Sequence, residues 1–373
     1  MKEEKKKIAP TNLIILFIVL FLVSFIWWNF FGQRLTKLPP VVIEEEILEA
    51  PLAASVAKNL EVPWALDFLP DGSIIFTERP GRIRFIDPKE GLLPEPLLVI
   101  DEVAHVGEGG LLGIAVHPDF DQNQFIYVYY TYQKNEELVN RVVRLKMENK
   151  KLVDKKIIID NIPGAIYHNG GRIKFGPDDL LYITTGDAQI PDLAQDKNSL
   201  AGKILRIKDD GSIPDDNPFP GSPVYSLGHR NPQGLAWDKQ ERLWATEHGA
   251  IGTDEINLIA PGKNYGWPII KGDERAEGME SPIIQSGKET WAPAGATFFE
   301  DSLFFVGLRG QSLYEFKTKE MTLKQHFNKK FGRLRDVVLG PDGFLYILTS
   351  NRDGRGLPMP DDDKIIKINP RKI

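Results

Sequence analysis

The chain contains no cysteine in 373 residues. That absence excludes disulfide staples, thiolate metal sites, iron–sulfur clusters, a cysteine nucleophile and a lipidated N-terminal cysteine, while leaving the compartment undecided. A basic excess is missing too. The 46 Lys and Arg face 52 Asp and Glu, and the net charge of -6 argues against a nucleic-acid binder. At 42% hydrophobic and 26% charged the composition is neither disordered nor collagenous, and the length suits one large domain or two ordinary ones. What is abundant is punctuation: 33 Gly and 27 Pro lie mostly between short apolar runs, which favours many tight turns and a β-rich fold.

One segment stands apart. Leu13 to Phe31 is nearly unbroken apolar sequence, interrupted by Ser24 and Asn29, and at 1.5 Å rise per residue it spans roughly 29 Å, about one bilayer core. Lys2, Lys5, Lys6 and Lys7 precede it, so the positive-inside tendency puts the N-terminus in the cytoplasm and everything after Gly32 outside. A cleaved signal peptide is the rival reading. The run is long for a signal core, ends in Trp27, Trp28, Phe30 and Phe31, and lacks a clear small-x-small cleavage site, all of which favour an uncleaved anchor. The chain then divides into a basic tail (1–12), a transmembrane segment (13–31), a linker (32–51) with Pro39-Pro40 and Glu44-Glu45-Glu46, and a body (52–373).

The body repeats. An apolar strand, a Pro-Asp-Gly type of turn and a second apolar strand form a unit, clearest in Ala65–Leu69, Pro70-Asp71-Gly72 and Ile74–Phe76. Five further copies turn at 118–119, 177–179, 238–242, 300–301 and 341–343. Pro presets φ and Gly permits positive φ, so each copy reads as a hairpin. A third apolar strand follows each one, as in Arg82–Ile86, Lys203–Ile207 and Glu255–Ile259. Six units of at least three strands predict an all-β, six-bladed β-propeller preceded by the single transmembrane helix.

Alignment of the copies on their turns shows polar residues where inner strands begin: Glu108, His168, Arg230 with Asn231, and Arg333 with Arg335. The strand after each turn returns to the same end, adding Asp187, Glu247-His248-Gly249 and Arg309. These residues are expected to ring one mouth of the propeller. Four guanidinium groups there imply a polyanionic ligand. Among them a histidine is disfavoured as a cation, which makes His168 a candidate general base. Taken singly, such arginines usually pair with carboxylates, for example Asp187, Asp254 or Asp336. His105, His117, His229, His248 and His326 read as structural or surface residues, and Trp64, Trp237, Trp244 and Trp267 as packing. The acidic, glycine-containing stretch from Glu247 to Asn257 and on to Trp267 has the carboxylate and carbonyl oxygens a calcium site requires, without the EF-hand spacing.

Several ordered motifs carry a resemblance. They are Gly109-Gly110-Leu111-Leu112-Gly113, His117-Pro118-Asp119-Phe120, His168-Asn169-Gly170-Gly171, Gly228-His229-Arg230-Asn231-Pro232-Gln233-Gly234, Asp254-Glu255-Ile256-Asn257 and Asn264-Tyr265-Gly266-Trp267-Pro268. From about residue 52 onward the chain resembles the soluble glucose/aldose sugar dehydrogenases that use pyrroloquinoline quinone (PQQ), whose fold is a six-bladed propeller. The resemblance implies a quinoprotein oxidoreductase in which His168 takes the proton of the sugar C1 hydroxyl while hydride passes to calcium-bound PQQ. It places Arg230, beside His168, in the catalytic group. It implies cofactor contacts from Glu108, His168, Arg230, Asn231, Gly249, Ala250, Arg309, Arg333 and Arg335. The catalytic Ca2+ would rest on backbone oxygens of Gly249 and Ala250, and a second ion on Glu255 and the Tyr265 carbonyl.

This sequence departs from the best-known glucose dehydrogenase at four matched positions: Tyr167 stands for an acidic residue, Glu108 for a glutamine, Ala250 for a proline and Arg309 for a lysine. With short connections between blades, which leave little to wall off a substrate pocket, the resemblance leans to the broad-range aldose branch. Aldose substrate, a quinone or cytochrome as electron acceptor, and an extracytoplasmic catalytic domain (periplasmic or cell-surface, secreted if the leader is cleaved) complete the expectation. Two alternatives stand beside it, a non-catalytic propeller that binds a protein or glycan and a calcium-dependent propeller lactonase.

Overall fold

Each sequence hairpin folds as its turn chemistry dictates. In the first, Gly72 adopts φ +83°, its N–H donates to the Leu69 carbonyl at 2.9 Å, and the Asp71 carboxylate accepts from Ser73 N at 2.9 Å. Turn aspartates in later repeats also hold an aromatic side chain of the second strand: Asp178 accepts from Tyr182 Oη at 3.1 Å, Asp238 from Trp244 Nε1 at 3.0 Å and Asp342 from Tyr346 Oη at 2.8 Å. The repeated Asp therefore fixes both the turn and the first packing contact of its strand.

The computed structural model describes residues 49–373. Six antiparallel sheets succeed one another along them. Blade 1 comprises Pro63–Phe68, Ile74–Glu78, Arg82–Asp87 and two short edge strands, Gly91–Leu92 and Leu98–Val99. Blade 2 has Leu111–Val116, Phe125–Lys134, Glu137–Glu148 and Lys151–Pro163. Blade 3 follows with Ile173–Phe175, Leu181–Thr185, Lys203–Ile207 and Val224–Leu227, and blade 4 with Pro232–Trp237, Leu243–Glu247, Glu255–Ile259 and Ile284–Gln285. Blade 5 is Pro293–Phe299, Ser302–Gly307, Leu313–Lys317 and Thr322–His326. Blade 6 joins both ends of the described chain: Leu334–Leu339, Leu345–Thr349 and Ile365–Ile368 are completed by Ala53–Ala57, with Ala53 paired to Ile368. The inner strand of blade 6 contacts that of blade 1, closing the ring. The six-bladed propeller is as the repeats predict.

Sheets stacked face to face bury their strands on both sides. Ile74–Glu78, Leu181–Thr185, Leu243–Glu247 and Leu345–Thr349 are accordingly buried at every position. Near the axis, backbones approach closely. A Cβ on Gly234 of blade 4 would meet the Ala294 carbonyl of blade 5 at 2.4 Å, and one on Gly295 would meet Asp336 of blade 6 at 1.8 Å from Oδ1 and 2.8 Å from Cα. Polar groups close the channel: buried Arg172 donates to Asp336 Oδ2 at 2.9 Å and to the Gln233 carbonyl at 2.9 Å, with its guanidinium 4.5 Å from the Trp64 ring.

Register confirms that inner-strand starts and second-strand ends share one face. Pro63 pairs with Glu78, Pro232 with Glu247, Pro293 with Gly307 and Leu334 with Thr349. Connections between blades are short, as at 164–172, 228–231 and 327–333, and the long ones lie within blades: residues 260–283 separate the last two strands of blade 4, and 350–364 separate two strands of blade 6. The expected transmembrane segment Leu13–Phe31, with the tail and linker residues to 48, lies outside the described residues. Among the described residues no helix is long and apolar enough to cross a membrane.

Candidate active site

His168 ends the loop that leaves blade 2 at Pro163, and its backbone is left-handed at φ +62°. The loop can seat there because residue 186 is glycine; a Cβ on Gly186 would meet the His168 carbonyl at 1.9 Å. Asp187 is next in sequence and fully buried. Its Oδ1 accepts from Gln189 N at 2.8 Å and faces His168 Nδ1 at 2.8 Å, and its Oδ2 accepts from Trp267 Nε1 at 2.8 Å. A carboxylate that accepts on all these sides assigns the proton of His168 to Nδ1 and leaves Nε2 as the basic nitrogen. This is the geometry of an oriented general base.

A cavity of about 470 Å³ opens beside this histidine. Glu108, Arg309, Arg333 and Arg335 line it as the ring alignment predicts, and Arg79, Arg355 and Asp353 line it unpredicted. Five guanidinium groups against two carboxylates leave an excess of three positive charges. Arg333 is braced by Asp353 through Nε at 2.9 Å and Nη2 at 2.7 Å. Arg335 donates to Gln233 Oε1 at 2.6 Å, but its Nε is buried without a partner. Burial first, and then Arg79 and Arg333 nearby, pull the Arg335 guanidinium down to about 9. The donors fit a polycarboxylate such as PQQ.

Glu108 links the cavity to the histidine. Its Oε2 accepts from His168 N at 3.3 Å, and its Oε1 accepts from Arg355 Nη1 at 2.7 Å. The Arg355 guanidinium also lies 5.2 Å from the Tyr167 ring. The long connection in blade 4 matters here, because it brings Trp267 back to the mouth against Asp187 and 5.3 Å beneath Arg230. Trp267 is thus a site residue rather than packing alone. Trp64, by contrast, packs as expected.

A second, narrow pocket adjoins the first, lined by Arg230, Glu247, His248, Gly249, Ala250, Thr253, Glu255 and Tyr265 among others. Gly249 N donates to Asp254 Oδ1 at 2.8 Å, while Asp254 Oδ2 accepts from Trp291 N at 2.6 Å and Ala292 N at 2.9 Å. Asp254 therefore shapes the loop and pairs with no arginine. Glu247 binds His229 Nδ1 at 2.8 Å and the Arg230 N–H, and Tyr265 stacks on His229 at 4.9 Å. Burial first, with Glu247 alongside, raises the Glu255 carboxyl above its usual range. Thr253 Oγ1 is buried without a partner. These oxygen donors, together with the backbone of Gly249 and Ala250, fit a hard cation such as Ca2+.

Asn231 ties the two pockets to the His168 loop: its Oδ1 accepts from Gly170 N at 2.9 Å, and its Nδ2 approaches His248 Nδ1 at 3.5 Å. Of the residues singled out by sequence, Glu108, Arg309, Arg333 and Arg335 share the large cavity and Arg230, Gly249, Ala250, Glu255 and Tyr265 the small one, while His168 and Asn231 reach these walls through Glu108 and His248. His248, assigned by sequence to structure or surface, lines both. Burial lowers its imidazole to about 3.

Comparison with known proteins agrees with this geometry. The family model for Glucose / Sorbosone dehydrogenase matches residues 60–359. A PQQ-bound aldose sugar dehydrogenase of Streptomyces coelicolor superposes with TM-score 0.79 at 39% identity, covering 85% of this chain and 98% of that one. An aldose sugar dehydrogenase of Escherichia coli is 32% identical across 91% of this chain and 99% of its own length. Quinoprotein glucose dehydrogenase B of Acinetobacter calcoaceticus is 38% identical across 58% of this chain and 52% of its own. The chain belongs to the glucose/sorbosone dehydrogenase family.

Proposed function

We propose that this protein is a PQQ- and calcium-dependent aldose sugar dehydrogenase that oxidises the C1 hydroxyl of aldoses to lactones, with His168 as general base. The observation that carries the reading is the cavity excess of three positive charges beside an imidazole oriented by Asp187. When bound, PQQ supplies a hydride-accepting carbon, and Ca2+ the Lewis acidity that sharpens it. The chain's own residues do the rest. Asp187 holds Nδ1–H, so that Nε2 of His168 takes the C1 hydroxyl proton as the C1–H bonding pair departs and the C1–O bond becomes the lactone carbonyl. Arg309, Arg333 and Arg335 hold carboxylates, Arg230 and Asn231 orient the reacting end, and Gly249, Ala250, Glu255 and Tyr265 offer oxygen to the ions.

Tyr167, exposed beside His168, supports a broad aldose range over strict glucose selection. The basic tail and the apolar run Leu13–Phe31 support a membrane-anchored enzyme with its propeller outside the cytoplasm, passing electrons to a quinone or cytochrome. Full-length chain in detergent, reconstituted with PQQ and calcium, is expected to reduce an artificial dye when aldoses are added. Tight PQQ binding with no aldose-dependent reduction would favour the non-catalytic module; lactone hydrolysis without PQQ would favour the lactonase.

A further inference from the structure

His248 stands on the wall shared by the two pockets. The Asn231 amide is oriented by Gly170 N, which donates to its Oδ1 at 2.9 Å, so the Asn231 NH2 is what faces His248 Nδ1 at 3.5 Å. A ring nitrogen that faces a donor is the accepting one, which puts the imidazole proton on Nε2. Nε2 is buried and has no partner. Beside it, Arg230 donates through Nη1 to the His248 carbonyl at 3.3 Å, and Arg230 Nε is also buried without a partner. Two buried donors on contacting residues, neither with a protein acceptor, cost stability unless a ligand satisfies them.

We infer that His248 is a cofactor-binding residue whose Nε2–H donates, beside Arg230 Nε–H, to a carbonyl or carboxylate oxygen of the quinone cofactor where it spans the two pockets. The inference rests on the PQQ-dependent reading. A purely structural histidine would spend both ring nitrogens on the protein, as His229 does on Ser226 and Glu247. The His248 ring instead leaves Nε2 without a protein partner on a residue that lines both pockets.

The test is titration of the full-length apoprotein with PQQ at saturating calcium, followed by tryptophan quenching and by the absorption band of the bound cofactor. His248→Leu removes the donor and is expected to raise Kd tenfold or more and to shift the band, because a hydrogen bond to a charged or strongly polar acceptor is lost. His248→Gln offers an amide N–H at similar reach and is expected to stay within about threefold of wild type, by the same principle. If leucine prevents folding, judged by the apoprotein's thermal transition, His248→Asn, polar but too short to reach, carries the same expectation. Wild-type affinity and spectrum in His248→Leu, or in His248→Asn where that replaces it, would overturn the inference while leaving the proposed function intact. Failure of the wild type to bind PQQ would overturn both.

Discussion

At the scale of single residues the account turns on who holds whom. In the proposed mechanism His168 depends on Asp187 for its tautomer, and Asp187 is itself held by Trp267 from a distant connection. His168→Ala is expected to lower turnover by roughly 10² to 10⁴ while still binding PQQ, since general base assistance is worth about that much. Unaltered steady-state turnover would remove His168 from the mechanism. Asp187→Asn offers a subtler reading. With the acceptor on Nδ1 replaced by an amide, kcat should fall by about 10² while PQQ affinity stays near wild type, whereas a merely structural change would weaken PQQ binding as well.

At the scale of elements the inner strands carry the load, because they approach backbone to backbone. Gly295→Ala places a methyl against Asp336 of the next blade, and overpacking of this kind typically costs about 1–3 kcal/mol, read as a lowered denaturation midpoint. An unchanged midpoint would mean that the blades can part without penalty. Asp67 links blade 1 to blade 2 by accepting from Val116 N at 2.8 Å, and burial pushes its carboxyl up to about 6 from 3.8. Folding thus favours its protonated form, so its contribution is present below about pH 4 and is lost as pH rises through 6. Asp67→Asn is expected to abolish a decline of up to about 3 kcal/mol between those limits. A decline identical in the variant would place its origin elsewhere.

The same elements show what a sequence makes legible. Pro70-Asp71-Gly72 and its copies announce hairpins because the turn residues have one conformational job each. Blade edges such as Gly91–Leu92 and Ile284–Gln285 are two residues long and carry no period, so the fourth strands are invisible until the sheets are seen. The arginine ring was legible where repeats align, at Arg230, Arg309, Arg333 and Arg335. Arg355 sits in an irregular connection with no equivalent in other blades, and Arg79, just past the end of the second strand of blade 1, is not among the residues the alignment singles out. His248 is the instructive miss. Its position in the repeat pointed to the rim, yet only the folded structure shows that its Nε2 is buried without a partner.

For the whole molecule, six blades bring side chains from residue 79 to residue 355 to one opening, and ligand binding should be felt by the entire ring. PQQ at 100 times its Kd with calcium is expected to stabilise the propeller by about 2.7 kcal/mol, and a chelator should reverse most of the accompanying rise in thermal midpoint. Equal midpoints with and without chelator would remove calcium from the site. The most direct measurement is an anaerobic single turnover: full-length protein holding one PQQ per chain is mixed with an aldose, and the absorbance of the bound cofactor is followed. The account predicts rapid, complete reduction in the wild type, slower when deuterium replaces hydrogen at C1, and almost none in cofactor-loaded His168→Ala. Reduction at equal rates in both proteins, or none in a wild type that binds PQQ, would contradict it.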